Sequence, residues 1–147
     1  MGTPAVIAIK DGEHVTWSSV NYDGYIGHTG RMLVEHYNDA ERAKALIALG
    51  DLSVLDKSIE CPEGHSFKKK VPGYTVAYGR DRGETGSEPL TTKSWLMFLI
   101  ANKNITRYVF EGDTWYSVRK KDTKLSLSIV DRYEMVRVGE ILAGTVE

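Results

Sequence analysis

Asn21-Tyr22-Asp23-Gly24-Tyr25-Ile26-Gly27-His28-Thr29-Gly30 packs three glycines, two tyrosines, an aspartate and a histidine into ten residues, between a strand pattern and a helix pattern. A turn of this composition can present side chains to a ligand or serve as a stiff corner of the fold. Upstream, residues 4–9 are short, apolar and β-branched, and Lys10-Asp11-Gly12-Glu13 supplies turn chemistry. Residues 14–20 resume with Val15, Trp17 and Val20, which together predict a hairpin. Downstream, residues 31–37 predict a short helix with Met32, Leu33 and Tyr37 on one side.

A second helix follows. Asn38 reads as its N-cap with Glu41 completing a capping box, Ala40, Ala43, Leu46 and Ile47 form the buried stripe, and Gly50 is the left-handed residue past the C-terminus. Residues 52–59 keep touching the core as a loose turn or short helix. Residues 60–72 are a polar surface loop or exposed hairpin, and 73–78 alternate as a strand through Tyr74, Val76 and Tyr78. Gly79-Arg80-Asp81-Arg82-Gly83-Glu84 is charged and flexible. From an N-cap at Thr91 or Thr92, Trp95, Phe98 and Leu99 recur at helical spacing.

Glu111-Gly112-Asp113 between residues 105–110 and 114–118 predicts a second hairpin, and Leu125, Leu127 and Ile129 alternate with serines as a strand with one polar face. Residues 131–142 fit neither period. The expected fold class is α+β, a mostly antiparallel sheet with two or three helices in a single domain. Its core would lie in residues 1–118, with 119–147 a strand-containing extension packed on that core or on a neighbouring subunit.

A chain of 147 residues with 41% apolar and 27% charged side chains is long enough to bury one core and too short for two comfortable ones. The net charge of −1 gives no bulk field for a polyanion or an anionic membrane, so no membrane partner is expected, and nucleic acid, itself not expected, would need a local patch. The single cysteine, Cys61, excludes an internal disulfide framework, and no secretory h-region or membrane-length apolar run is found. Val6 stands where an N-myristoylation signal needs Ser or Thr. A cytoplasmic location is expected.

Motifs for P-loop NTPases, dinucleotide folds and serine hydrolases are lacking. Cys61-x-x-x-His65 with His28 and His36 offers ligand types that zinc accepts, but without a paired CxxC or HExxH it reads as a surface loop with an incidental thiol, and no metal or cofactor is expected. Tyr22, Asp23, Tyr25, His28 and Thr29 of the central turn, together with Tyr78, Arg80, Asp81 and Arg82, form the candidate ligand-binding set. The arginines would fork onto phosphate or carboxylate, the tyrosines would stack on a base, and Gly27, Thr29 and Gly30 would offer free N–H groups to an anion. The plainer alternative is a fold-determining turn in which Asp23 caps a backbone N–H, Gly24 holds a left-handed φ and the Arg80, Asp81 and Arg82 charges pair with one another. The triplets Lys68-Lys69-Lys70 and Arg119-Lys120-Lys121 read as solvated charge. Trp95, Phe98, Leu99, Tyr108, Phe110 and Trp115 read as core.

Met1-Gly2-Thr3, Tyr22-Asp23-Gly24-Tyr25, His28-Thr29-Gly30, the segment from Leu46 to Leu55 containing Gly50-Asp51, and Ala77 to Glu84 recur in this order, ahead of an aromatic hairpin from Tyr108 to Tyr116. In these motifs the chain resembles a group of small bacteriophage and prophage proteins of unknown function over roughly its first 118 residues. It departs from them where their His-Trp before Asp-Gly-Tyr is Asn21-Tyr22, and in a longer tail from Lys120. The resemblance implies a viral accessory protein in the host cytoplasm and brings no activity with it. The leading expectation is a non-enzymatic protein that binds a host factor or a small anionic ligand such as a nucleotide, in host takeover or counter-defence. The alternatives are a small enzyme acting on a nucleotide or phosphodiester, with His28 as general acid or base and Arg80 and Arg82 on phosphate, or a structural protein self-associating through its C-terminal strand.

Overall fold

The computed structural model describes residues 2–144. The first hairpin forms as the sequence predicts: β1 (Ala5–Asp11) pairs antiparallel with β2 (His14–Val20) around Gly12 at φ +60°. The second pairs β6 (Thr106–Glu111) with β7 (Thr114–Lys120) around Gly112 at φ +68°. Both turns need a residue that tolerates positive φ, and glycine does so without a Cβ clash.

The hairpins join through a parallel β1–β6 pairing, with Ala5 opposite Thr106 and Ile9 opposite Phe110. The sheet then grows outward. β3 (Leu52–Val54) lies parallel to the end of β2, β4 (Val76–Ala77) is antiparallel to β3, β5 (Leu90–Thr92) runs along the other part of β2, and β8 (Tyr133–Arg137) closes the far side on β7. The order is β4-β3-β2-β1-β6-β7-β8 with β5 beside β2. The fold is therefore α+β, as expected, with a mixed eight-stranded sheet in which five pairings are antiparallel and two parallel, and among the described residues five α-helices stand where two or three were expected.

Several local expectations are corrected. Residues 52–54 are a strand, because Val20 and Leu52 extend the ladder of β2. Tyr78 leaves the strand after two residues and opens the one-turn helix α3 (Tyr78–Arg82), which Gly83 ends in the left-handed region at φ +75°. α1 (Arg31–His36) continues directly from a π-helical turn at Ile26–Gly30. The N-cap of α2 (Ala40–Ala48) is Asp39, whose carboxylate accepts from the Arg42 N–H at 2.8 Å, so no Asn38–Glu41 capping box exists. Ala43, Leu46 and Ile47 are buried as expected and Ala40 is exposed. Ser94, accepting from the Met97 N–H at 3.2 Å, caps α4 (Trp95–Ala101), because Thr91 and Thr92 belong to β5. The run Leu125–Ile129 is not a strand and leaves Leu125 74% exposed, and 131–142 holds β8 followed by α5 (Val138–Leu142).

Two cores flank the sheet. One buries Ile7, Leu33, Tyr37, Leu46, Leu52, Tyr108, Phe110, Trp115 and Val138, and the other Val6, Val15, Trp17, Trp95, Phe98 and Val109. All six residues read as core from the sequence are buried. Strand alternation explains the split, since Tyr108 and Phe110 face one side of β6 and Val109 the other. Through β8 and Val138, residues 133–142 are part of the sheet and of the first core.

Candidate functional site

The central turn is pinned along its backbone. Asn21 and Tyr22 donate their N–H groups to the Leu52 and Ser53 carbonyls at 3.0 and 2.9 Å, and Gly24 donates to Thr3 at 2.7 Å. The buried Tyr108 hydroxyl donates to the Gly24 carbonyl at 2.7 Å, and Thr29 Oγ1 donates to the Asp23 carbonyl at 2.7 Å. Burial raises the Tyr108 hydroxyl well above the ordinary tyrosine value, so it remains a donor. The left-handed residue of the turn is Asp23, at φ +56°, in place of the expected Gly24. Gly24 is glycine for another reason: a Cβ there would meet the Thr3 carbonyl at 2.5 Å and the Ala5 Cβ at 2.7 Å.

Of the N–H groups expected to receive an anion, that of Thr29 is used inside the turn. His28 and Thr29 both donate to the Tyr25 carbonyl, at 3.1 and 3.0 Å, because the π-helical turn runs into α1 without a break. His28 Nε2 sits 2.8 Å from the Leu55 carbonyl, and its ring lies 6.3 Å from that of Tyr25. Tyr22 and Tyr25 stand outward, 47% and 51% exposed.

Tyr78 meets the turn through its hydroxyl, which accepts from Asn21 Nδ2 at 2.8 Å. Beside this link lies a polar concavity of about 280 Å³, lined by Ser19, Asn21, Asp51, Tyr78, Glu84 and Ser87 among others. Asp51 organises it: its carboxylate accepts from the Ser19 N–H at 3.0 Å, its N–H donates to the Ser87 carbonyl at 2.7 Å, and its carbonyl accepts from the Tyr78 N–H at 3.1 Å. The lining carboxylates give it an acidic character. Ser19, Asn21, Asp51 and Glu84 are not in the candidate set read from the sequence, although Asn21 and Glu84 lie within its two segments; for Asp51 the Gly50-Asp51 step at the end of α2 was the available signal.

Arg80 and Asp81 are drawn the other way, into a network that fastens the 56–75 loop. Arg80 Nε donates to Asp81 Oδ1 at 2.8 Å, and its Nη atoms donate to the Ile59 and Thr75 carbonyls. The Asp81 side chain is fully buried and also accepts from the Ala77 N–H at 2.8 Å. Burial alone would raise its carboxyl, but the Arg80 and Ala77 hydrogen bonds and the Arg80 charge outweigh it and hold the pKa below the ordinary aspartate value. The same hydrogen bond raises Arg80. His65 is buried, with Nδ1 accepting from the Val71 N–H at 3.0 Å, which places the ring proton on Nε2, 3.2 Å from the Thr75 carbonyl and 3.4 Å from Asp81 Oδ2. Cys61 Sγ lies 3.7 Å from both Asp81 Oδ1 and the His65 carbonyl, so Cys61 and His65 meet through this network and not through thiol and ring.

Arg82 covers the Phe67 ring at 4.8 Å, and Phe67 in turn packs 5.5 Å from Tyr78. Among the described residues the turn and the 78–82 segment are bonded side chain to side chain through Asn21 and Tyr78, and neither Arg80 nor Arg82 is bonded to Asp23, Tyr25 or His28. Chemically, the arrangement gives a rigid aromatic and polar face with its arginines engaged elsewhere. Comparison with protein families, curated proteins and solved structures finds no match to this chain.

Proposed function

We propose that this chain is a phage-borne accessory protein that acts by binding, with the central turn and the adjoining concavity as its recognition surface and a host protein as its partner. The phage setting is carried by the motif resemblance. The observation that supports the binding face is the pair Tyr22 and Tyr25, half exposed on a backbone held by five hydrogen bonds, three donated to the Leu52, Ser53 and Thr3 carbonyls and two accepted from the Tyr108 and Thr29 hydroxyls. Tyrosines fixed in this way bury large area on association with little loss of conformational freedom, which is why they recur as anchors at interfaces. The side chains a small anion would need are engaged: Arg80 is bonded to Asp81, Ile59 and Thr75, and His28 to Leu55. A protein partner therefore fits this face better than a nucleotide.

Affinity capture from bacterial host lysate, with native mass spectrometry of the eluate, tests the reading. A host protein retained at fixed stoichiometry by the native chain and lost from the Tyr22→Ala/Tyr25→Ala variant is the expected result. Equal retention by both, or none by either, ends it.

One observation favours a second reading, self-assembly. Among the described residues β8 is the outermost strand on its side of the sheet and pairs with β7 alone, leaving a row of backbone groups able to take another strand. Sedimentation velocity over a hundredfold concentration range decides it, since a monomer throughout removes this reading.

A further inference from the structure

The second basic triplet leads to a different place. β7 ends at Lys120, and the backbone of Lys121 donates to the Arg132 carbonyl at 2.7 Å, closing a loop of residues 122–131 at its base. Inside that closure is a concavity of about 220 Å³ lined by Lys120, Lys121, Thr123, Leu125, Ser126 and Arg132, with Leu127 behind. Its frame is internally bonded. Arg132 Nε donates to the Leu127 carbonyl at 3.0 Å, the Arg132 N–H donates to Ser128 at 3.1 Å, and the Leu125 N–H donates to Thr123 Oγ1 at 3.1 Å.

Over residues 119–132 there are five cations and two carboxylates, in a chain whose net charge is −1. One of those carboxylates, Asp131, accepts from the Ser128 hydroxyl at 2.8 Å. Ion pairs with carboxylates elsewhere in the described residues use Lys10, Arg31, Arg80, Arg82 and Arg137, and none uses Lys120, Lys121 or Arg132. Three cations thus line one concavity without a carboxylate to neutralise them. Like charges lining one concavity repel, an anion between them relieves the repulsion, and the guanidinium fork, two ammonium groups and the Thr123 and Ser126 hydroxyls match the oxygens of a phosphate.

We propose that this concavity binds the phosphate group of a phosphorylated ligand on Lys120, Lys121 and Arg132, with Leu125 at its rim against the ligand's apolar part. One carboxylate would leave most of the positive charge unmatched, whereas a phosphate ester or pyrophosphate brings the multiple anionic oxygens that the three cations need. The same chemistry is offered by a free phosphate compound and by an anionic lipid headgroup.

Binding is tested with pyrophosphate and ADP by isothermal titration, and with vesicles of phosphatidylcholine alone or with 30% phosphatidylglycerol by co-sedimentation. The native chain is compared with Lys120→Ala/Lys121→Ala and with Lys68→Ala/Lys69→Ala, which removes equal charge at the other triplet. Saturable binding of a soluble probe, or of the anionic vesicles alone, weakened about tenfold or more in the first variant and unchanged in the second, supports the site and identifies which source fills it. No binding to any probe overturns it. So does an equal loss in both variants, which would mean that bulk charge alone was being measured. Both variants alter exposed or partly exposed lysines, so each is expected to fold, which circular dichroism checks.

Discussion

The Arg80 guanidinium and the Asp81 carboxylate, adjacent in sequence, are joined by two hydrogen bonds, Nε to Oδ1 at 2.8 Å and Nη2 to Oδ2 at 3.0 Å, with the carboxylate wholly removed from solvent. Because Asp81 has a depressed pKa in the folded chain, its contribution to stability is fully present above the unfolded value of about 4 and is lost as pH falls through the folded value. The urea midpoint is expected to fall as pH drops below about 4, and Asp81→Asn is expected to flatten that slope while lowering stability at neutral pH. An unaltered pH profile in the variant would remove Asp81 as its source.

Gly24→Ala tests the packing of the turn on the first strand. The added Cβ meets backbone at Thr3, which cannot yield as a flexible side chain would. A loss of about 2 kcal/mol is expected in chemical unfolding. Gly27→Ala, whose Cβ meets only the Tyr25 ring at 3.5 Å, is expected to change stability by less than about 0.5 kcal/mol.

Trp115 ties the second hairpin to the helical layer. Its Nε1–H donates to the Tyr37 carbonyl at 2.8 Å, and both residues are buried. Trp115→Phe leaves that carbonyl unsatisfied and opens space beside it, which is expected to cost about 2 kcal/mol or more. Thermal unfolding followed by circular dichroism would show this as a lowered midpoint.

Arg107 is a charge in the second core, 5% exposed, with its Nε unbonded, Nη1 on the Leu99 carbonyl at 3.3 Å and the guanidinium 4.6 Å from the Tyr133 ring. Burial lowers its pKa below the ordinary arginine value. Arg107→Met keeps the length and removes the desolvated charge, so stability is expected to stay level or rise by about 1 kcal/mol. A marked drop in the urea midpoint would show that the cation is required where it stands.

Tyr22→Ala/Tyr25→Ala separates recognition from folding. Both rings are half exposed, so the unfolding midpoint is expected to shift by less than about 1 kcal/mol while partner retention is lost. A large stability loss would instead assign the tyrosines to the corner's own packing.

The candidate site was legible in part. Tyr22, Tyr25 and Tyr78 stand out in sequence as aromatic residues beside Asp-Gly and Gly-Arg steps, and Tyr78 does reach the turn through Asn21. Arg80 and Asp81 were read as facing a ligand or pairing at the surface. They are joined, but the carboxylate is buried and bonded to Ala77, a position that depends on the chain folding back at Thr75. Asp51 was missed as a site residue because its role lies in bonds to Ser19, Tyr78 and Ser87, whose proximity no local pattern records.

By itself the sequence determined the two hairpins, the end of α2 at Gly50 and the aromatic core, since these depend on interactions within a few residues or on side chains that water expels wherever the chain places them. Only the tertiary structure decided the parallel joining of β1 to β6, the strand at Leu52–Val54 and the helix at Tyr78–Arg82. Short segments carry too few residues to express a period, and their backbone hydrogen bonds are completed by partners far along the chain. The cations Lys120, Lys121 and Arg132 were gathered in the same way, by a loop closed through the Lys121–Arg132 backbone bond.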